Sequence, residues 1–209
     1  MTVVTTIEAL AALITTRARP AGRPLIVGIV GAPGAGKSTI AAELVENLSA
    51  SALLPMDGYH LPQQRLVQLG RRDRMGAPDT FDVDALAATL RELRDAQLVV
   101  VAPAFDRTIE EPVASAITIL TATTATVVVE GNYLLLERDG WEQLAPILDL
   151  TFFVELGHDI RIERLVARHE RFGKTASAAR AWALGTDEAN AVAVEATASR
   201  ADHRIRLAL

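Results

Sequence analysis

Apolar positions along this chain recur with two different periods. Continuous apolar runs at Leu25–Val30, Ala52–Met56, Leu98–Val101, Thr126–Val129 and Thr151–Phe153–Val154 predict strands buried on both faces. Ala102–Pro103 is expected to stop the third of these, and Ile117–Leu120 alternates as a half-exposed strand would. Apolar residues spaced by three and four predict helices over 7–18, from Lys37 through Leu48, and over 61–70, 82–95, 158–171, 175–184 and 187–195. Asp82 or Asp84 is expected to cap the helix over 82–95. The turn-rich stretch Arg19–Pro24 joins the first helix to the first buried strand, and a short strand is expected near His203–Leu207. Strands alternating with helices predict an α/β fold with a mostly parallel sheet covered on both faces. No internal repeat interrupts it, and 209 residues, half of them apolar, suit one domain over 1–209.

The order strand, glycine-rich loop, helix gives the first strand its chemistry. Residues 31–39 read GAPGAGKST, the spacing of a Walker A phosphate-binding loop. Glycines let the backbone N–H groups wrap an anion, and the helix that follows points its positive end at the same place. Gly34, Ala35, Gly36, Lys37, Ser38 and Thr39 are therefore the candidate nucleotide-phosphate ligands. Lys37 would reach the outer phosphates and Ser38 a magnesium ion.

Ligands of such a sheet collect at the carboxyl ends of its strands. Three predicted strands lead there to polar residues: Asp57, the pair Phe105–Asp106, and Glu130. Glu130 holds the Walker B position, where a carboxylate supports magnesium, or it simply caps a loop. Asp57 is either an ordinary Asp-Gly turn residue or the base that accepts a hydroxyl proton from an acceptor. Arg161, Arg164, Arg168 and Arg171 share one predicted helical face. They form a solvated row paired with Asp159, Glu163 and Glu170, or a lid over the transferring phosphoryl group, hinged at Phe172–Gly173. Arg65, Arg71, Arg72 and Arg74 are surface charge or the lining of a site for an anionic acceptor.

Composition narrows the classes. Cysteine is absent, which excludes disulfides and thiolate metal sites, and the four histidines lack zinc-ligand spacing. The first residues lack a basic segment ahead of an apolar one, so no signal peptide is expected, and no run is long enough to insert in a membrane. A cytoplasmic protein is expected. The formal net charge of −5 argues against nucleic acid as a partner. A GTPase is disfavoured by the lack of an Asn-Lys-x-Asp signature, and a transporter ATPase by the lack of Leu-Ser-Gly-Gly.

Further landmarks are MDGYH at 56–60, RRDRMGAPDTFD at 71–82, PAFDR at 103–107, VVVEGNYLLL at 127–136, RLVARH at 164–169 and DEANAVAVEATASRAD at 187–202. With the phosphate loop they make residues 22–207 resemble the superfamily of uridine kinase, phosphoribulokinase and bacterial pantothenate kinase. Within it the chain is most similar to small proteins described as fructose-transport-system or nucleoside/nucleotide kinase-like. The resemblance implies a three-layer P-loop NTPase fold, a lid around 161–180, and ATP with Mg2+ as cofactors. It makes Asp57 the catalytic base, Glu130 with Ser38 the magnesium support, and Arg168 a phosphate contact that joins Lys37 in catalysis. The segment holding Asn190 and Thr197 would flank the adenine. Tyr59, His60, Arg72, Phe105 and Arg107 are the candidate acceptor-binding residues.

Two features of uridine kinases are missing. Gly76 stands where they carry an acidic residue for the ribose, and Phe105–Asp106–Arg107 followed by Glu110 replaces their histidine-bearing pyrimidine site. The expected activity is thus an ATP-dependent kinase acting on a hydroxyl of a small molecule, a sugar or sugar-like metabolite, with a homodimer as a candidate assembly. The alternatives are a pantothenate or uridine-type kinase, a regulatory P-loop NTPase without a second substrate, and a relative that only binds nucleotide.

Overall fold

A computed structural model describes residues 2–17 and 22–207. The part of the predicted join at 18–21 lies outside the described residues. Six strands form one all-parallel sheet: β1 (Thr2–Val4), β2 (Leu25–Gly31), β3 (Ser51–Pro55), β6 (Thr126–Gly131), β7 (Leu150–Val154) and β8 (His203–Ile205), in the spatial order β1-β8-β7-β2-β6-β3. The helices are α1 (Ile7–Thr16), α2 (Lys37–Asn47), α3 (Gln63–Gln68), α4 (Val83–Arg94), α5 (His158–Arg171), α6 (Ala176–Trp182) and α7 (Glu188–Glu195). A two-stranded antiparallel hairpin, β4 (Val99–Asp106) with β5 (Glu111–Leu120), stands apart from the sheet.

Side chains alternate across a strand, so an unbroken apolar run must feed two cores. It does: on β2, Ile26 and Val30 join one cluster while Leu25, Val27 and Ile29 join the other. The first cluster adds α4 and the aromatic residues Phe81, Tyr133 and Trp141; the second adds α1 and α2. These are the helical layers on either face, and the three-layer arrangement follows. Arg23 fixes the start of β2 by a paired contact to Asp149 at 2.7 Å, and the Ile26 amide donates to the same carboxylate at 2.9 Å. Asp82 caps α4, accepting from the Ala85 amide at 2.9 Å.

The run at 98–101 is not a buried sheet strand, and Pro103 does not end it. Leu98 is 77% exposed, and Val99 and Val101 face outward while Val100 and Ala102 face the core. Pro103 sits where the hairpin register shifts between Ala102 and Ala104, an irregularity that tolerates the missing N–H. A valine run satisfies one-sided and two-sided burial alike, so its pattern did not separate the two. Strand β1 was not anticipated; it pairs in parallel with β8 at the sheet edge.

Candidate active site

The phosphate loop leaves β2 at its carboxyl end and enters α2 through two left-handed glycines, Gly34 at φ 81° and Gly36 at φ 94°. A side chain on Gly34 would lie 2.8 Å from Leu165 and 2.9 Å from the Arg161 carbonyl, so α5 rests directly on the loop. Lys37 is buried and donates from Nζ to the Ala32 carbonyl at 3.1 Å. Burial pushes its ammonium down to about 8, assisted by Arg168 and Arg107 and opposed by Glu130 and Asp57. This is a cation lacking a full counter-charge in a cradle of N–H groups. The arrangement favours an anion.

Glu130, on β6, accepts from Ser38 Oγ at 3.0 Å, which joins the Walker A and Walker B positions. Burial first, then the charge of Asp57, pushes Glu130 upward against the pull of Lys37 and the Ser38 hydrogen bond. For Asp57 burial also acts upward. The charges of His60, Arg107, Lys37 and Arg168 outweigh it and hold the carboxyl below its ordinary value. A buried carboxyl forced toward its proton, with the half-buried Asp57 carboxylate near it, fits a divalent cation with Ser38 and Glu130 as its protein support. Among the described residues no three acidic or histidine side chains form a closed cage. That suits magnesium, which keeps several waters and shares phosphate oxygens.

Asp57 follows β3 in a single 3-10 turn, Met56–Tyr59, whose Gly58 touches the hairpin. A Cβ there would lie 2.3 Å from the Pro103 carbonyl oxygen. The contact fixes the hairpin over the turn and brings Arg107 Nη2 to Asp57 Oδ2 at 2.5 Å. Gly58→Ala should force the hairpin away and cost roughly 1–3 kcal/mol, typical of inserting a methyl into filled space. Urea unfolding checks this, and an unchanged midpoint would show that the hairpin gives way freely.

Two cavities meet at this point. One of about 810 Å³ runs along the phosphate loop and the start of α2; the other, of about 160 Å³, lies between Asp57, the hairpin, and the α5–α7 region. Lys37, Ser38, Arg107 and Arg168 line both. The smaller cavity also takes in His60, Arg72 and Phe105 as expected, with the His60 ring 4.7 Å from that of Phe105 and its Nδ1 2.8 Å from the Asp57 carbonyl.

Other expected residues fall elsewhere. Tyr59 is packed in the core beside Phe81 and α4 and does not line the smaller cavity, because the 3-10 turn that aims Asp57 outward turns Tyr59 inward. Asp106 accepts from the Thr108 amide at 2.8 Å within its own turn and lines neither cavity. Asn190 lines the smaller cavity, not the larger, and donates to the Gly76 carbonyl at 3.2 Å. Thr197 is buried, donates to the Val194 carbonyl at 2.7 Å, and lines neither cavity. Asn190 shares the smaller cavity with Pro33, Lys37 and Ser38 of the phosphate loop, and Glu195 and Ala198 of the same segment line a third cavity of about 560 Å³ beside Ala32 and Ala35. Of the four arginines of the 65–74 cluster, only Arg72 faces the smaller cavity, paired with Glu110; Arg71 and Arg74 hold Asp79.

The row on α5 is not a solvated face. Arg161 is 1% exposed and paired with Glu188, an acidic residue of α7 and not one of its own helix. Arg164 and Arg168 turn toward the cavity along the phosphate loop, and of the four only Arg171 is exposed. Burial lowers the Arg168 pKa, partly offset by Asp187. Sequence reasoning missed the pair His169–Asp187, with Nε2 to Oδ2 at 2.6 Å, and Lys174, whose ammonium lies 4.6 Å from the Trp182 ring centre. All four line the smaller cavity. A π-helical turn at Ala183–Asp187 was the unread signal, since such turns gather at functional sites.

A phosphate loop on the central strand of a parallel sheet, a carboxylate beside its serine and a second cavity at its tip define a P-loop kinase. Residues 26–206 match the model of the phosphoribulokinase/uridine kinase family. The chain belongs to that family. It is 36% identical over 174 residues to the Escherichia coli K12 uncharacterized protein YggC, covering 80% of this chain and 71% of that one. To the uridine kinase of Lactobacillus johnsonii it is 32% identical over 150 residues, covering 70% and 68%. A crystal structure from Silicibacter sp. TM1040, named "putative fructose transport system kinase", superposes with a TM-score of 0.89 at 35% identity, covering 96% of this chain and 98% of that one.

Among the described residues no helix is long and apolar enough to cross a membrane.

Proposed function

We propose that this chain is an ATP-dependent phosphotransferase that moves the γ-phosphoryl group of ATP to a hydroxyl of a small molecule, a sugar or sugar-like metabolite. The observation that carries the reading is Asp57, an ionised carboxylate that lines the smaller cavity and pairs with Arg107, which lines both that cavity and the one along the phosphate loop. A regulatory NTPase has no need of the second cavity. Its volume of about 160 Å³ approximates that of a cavity known to hold one six-membered ring, room for a compact polyol. The wall where uridine kinases carry an acidic residue is closed here by Gly76, whose carbonyl accepts from both Tyr133 Oη at 2.5 Å and Asn190.

In this reading the loop amides and Lys37 hold the β- and γ-phosphates, and Asp57 Oδ1, the oxygen not taken by Arg107, accepts the acceptor's hydroxyl proton. Arg107 and Arg168 face the transferring group from the hairpin and from α5, where planar donors meet spreading negative charge. Magnesium supported by Ser38 and Glu130 would neutralise charge on the phosphate oxygens.

The test is transfer of labelled γ-phosphate from Mg-ATP to a panel of sugars, sugar acids, pantothenate and nucleosides. Transfer to a sugar supports the reading. Transfer only to uridine or pantothenate would replace it, and hydrolysis indifferent to every acceptor would make the protein a nucleotide switch. Arg168→Ala should lower turnover about a hundred-fold while weakening ATP binding far less, since its charge acts chiefly on the transition state. Equal losses in kcat and in ATP affinity would reduce it to a ground-state contact.

A further inference from the structure

The smaller cavity holds a cation that phosphoryl transfer does not use. Of the carboxylates in its wall, Asp57 is taken by Arg107, Glu110 by Arg72 and Asp187 by His169, while Glu130 accepts from Ser38. Lys37 and Arg168 line the phosphate-loop cavity as well, where the transferring group belongs. That leaves Lys174. Among the described residues its ammonium pairs with no carboxylate, and it lies 4.6 Å from the Trp182 ring centre in the same cavity as Asp57.

The backbone aims this side chain. Helix α5 closes with Gly173 in the left-handed region at φ 92°; its amide donates to the Glu170 carbonyl and the Lys174 amide to the His169 carbonyl, both at 3.0 Å. Such a closure needs glycine's freedom of φ and fixes the residue that follows. One residue on, Thr175 caps α6, accepting from the Ala178 amide at 3.3 Å. Lys174 is thus held between two closed helix ends. A lysine that only complemented the dipole of α5 would keep its head in water, whereas this one is half-buried and lies over an aromatic ring.

We propose that Lys174 is a specificity-determining residue of the acceptor site, and that the acceptor carries a carboxylate or phosphate-ester group besides the hydroxyl that receives phosphate. The inference rests on the kinase reading above and deepens it. An ammonium partly removed from water and lacking a counter-charge gains most from an anion that supplies one. The Trp182 face offsets the loss of water only in part, since a ring quadrupole is weaker than a full charge. A neutral polyol would leave the ammonium as unpaired as before. With Asp57 and Lys174 both in the wall of a space of about 160 Å³, a molecule that fills it can present a hydroxyl to one and its anionic group to the other. Phe105 and Trp182 offer aromatic surface to its carbon chain.

The experiment measures transfer of labelled γ-phosphate from Mg-ATP to two matched series: ribose, ribonate and ribose 5-phosphate, then glucose, gluconate and glucose 6-phosphate. Full-length wild type, Lys174→Met and Lys174→Arg are compared. Methionine keeps an unbranched stem over Trp182 and removes the charge; arginine restores it. The wild type is expected to use an anionic member at least about ten-fold better in kcat/KM than its neutral parent. Lys174→Met should lose about ten-fold to a hundred-fold on that member, chiefly through its KM, the range for one hydrogen bond to a charged group. The preference over the neutral parent should shrink by the same factor, the KM for ATP should stay within about two-fold, and Lys174→Arg should recover most of the loss. Whether the acid or the phosphate ester is the better member separates the two sources of the anion. A wild type that prefers the neutral parents would overturn the proposal and leave the kinase reading standing. So would a Lys174→Met that is unchanged, or one that loses equally across a series, which would make the lysine a prop for the turn between α5 and α6. Transfer to no member, with ATP hydrolysed at one rate with and without each, would sink the kinase reading and the proposal with it.

Discussion

Asp57→Asn is expected to bind Mg-ATP normally and to phosphorylate the acceptor roughly a hundred-fold to ten-thousand-fold more slowly, the range for a lost general base. The substitution keeps the size of the side chain and an oxygen to accept from Arg107 Nη2, so the hairpin contact at 2.5 Å has a partner still. What it removes is the charge that receives the proton. The carboxyl is held low by the cations around it, and a base held low is ionised across the neutral range. Steady-state kinetics with the acceptor identified by the transfer panel, alongside ATP titration, checks both halves. Full acceptor phosphorylation in the variant would leave Asp57 a turn residue. Acceptor-independent hydrolysis retained unchanged would move the regulatory NTPase ahead.

Lys37→Ala should lose at least about a hundred-fold to a thousand-fold in turnover, since one preorganised donor to a developing charge is commonly worth that much. It should not unfold the protein. The folded-state pKa of Lys37 is depressed from 10.5 to about 8, so its charged form is disfavoured by folding, on the order of 3 kcal/mol. The sign follows from linkage: between pH 8 and 10.5 the unfolded chain binds more protons, and nucleotide-free stability rises with pH through that window. The variant removes that penalty and that rise. Thermal unfolding at pH 7 and pH 10 without nucleotide reads both, and a variant melting well below wild type at pH 7 would show that the lysine stem matters more for packing than its charge costs. Wild-type turnover in the variant would remove the phosphate-loop assignment altogether.

Much of the architecture was legible because it rests on local pattern. The runs at Leu25–Val30 and Val127–Val129 carry no polar side chain and are buried on both faces, and the helix over 158–171 has the bounds its spacing implied. The loop GAPGAGKST carries its own geometry, because glycines at fixed offsets and a following helix dictate where the amides point. The hairpin was misread, since Leu98–Val101 has the composition of a core strand and only its lack of sheet neighbours exposes alternate valines.

The site divides along the same line. Sequence by itself marked the phosphate loop and set Asp57 and Glu130 just past apolar runs, because each is a matter of residue type at short, fixed spacing; the family followed from landmarks spread over residues 22–207. Tertiary structure alone decided that Tyr59 turns into the core while its neighbour Asp57 faces the cavity, and that Arg161 pairs with Glu188 beneath an apparent basic face. It also decided that Asn190 closes on Gly76, and that Thr5–Ile7 line the same cavity as the phosphate loop. Those outcomes depend on which elements pack together across long sequence separations. A side chain's direction within one turn, or its choice between two partners of the same charge, is set by that packing and leaves no trace in the local pattern.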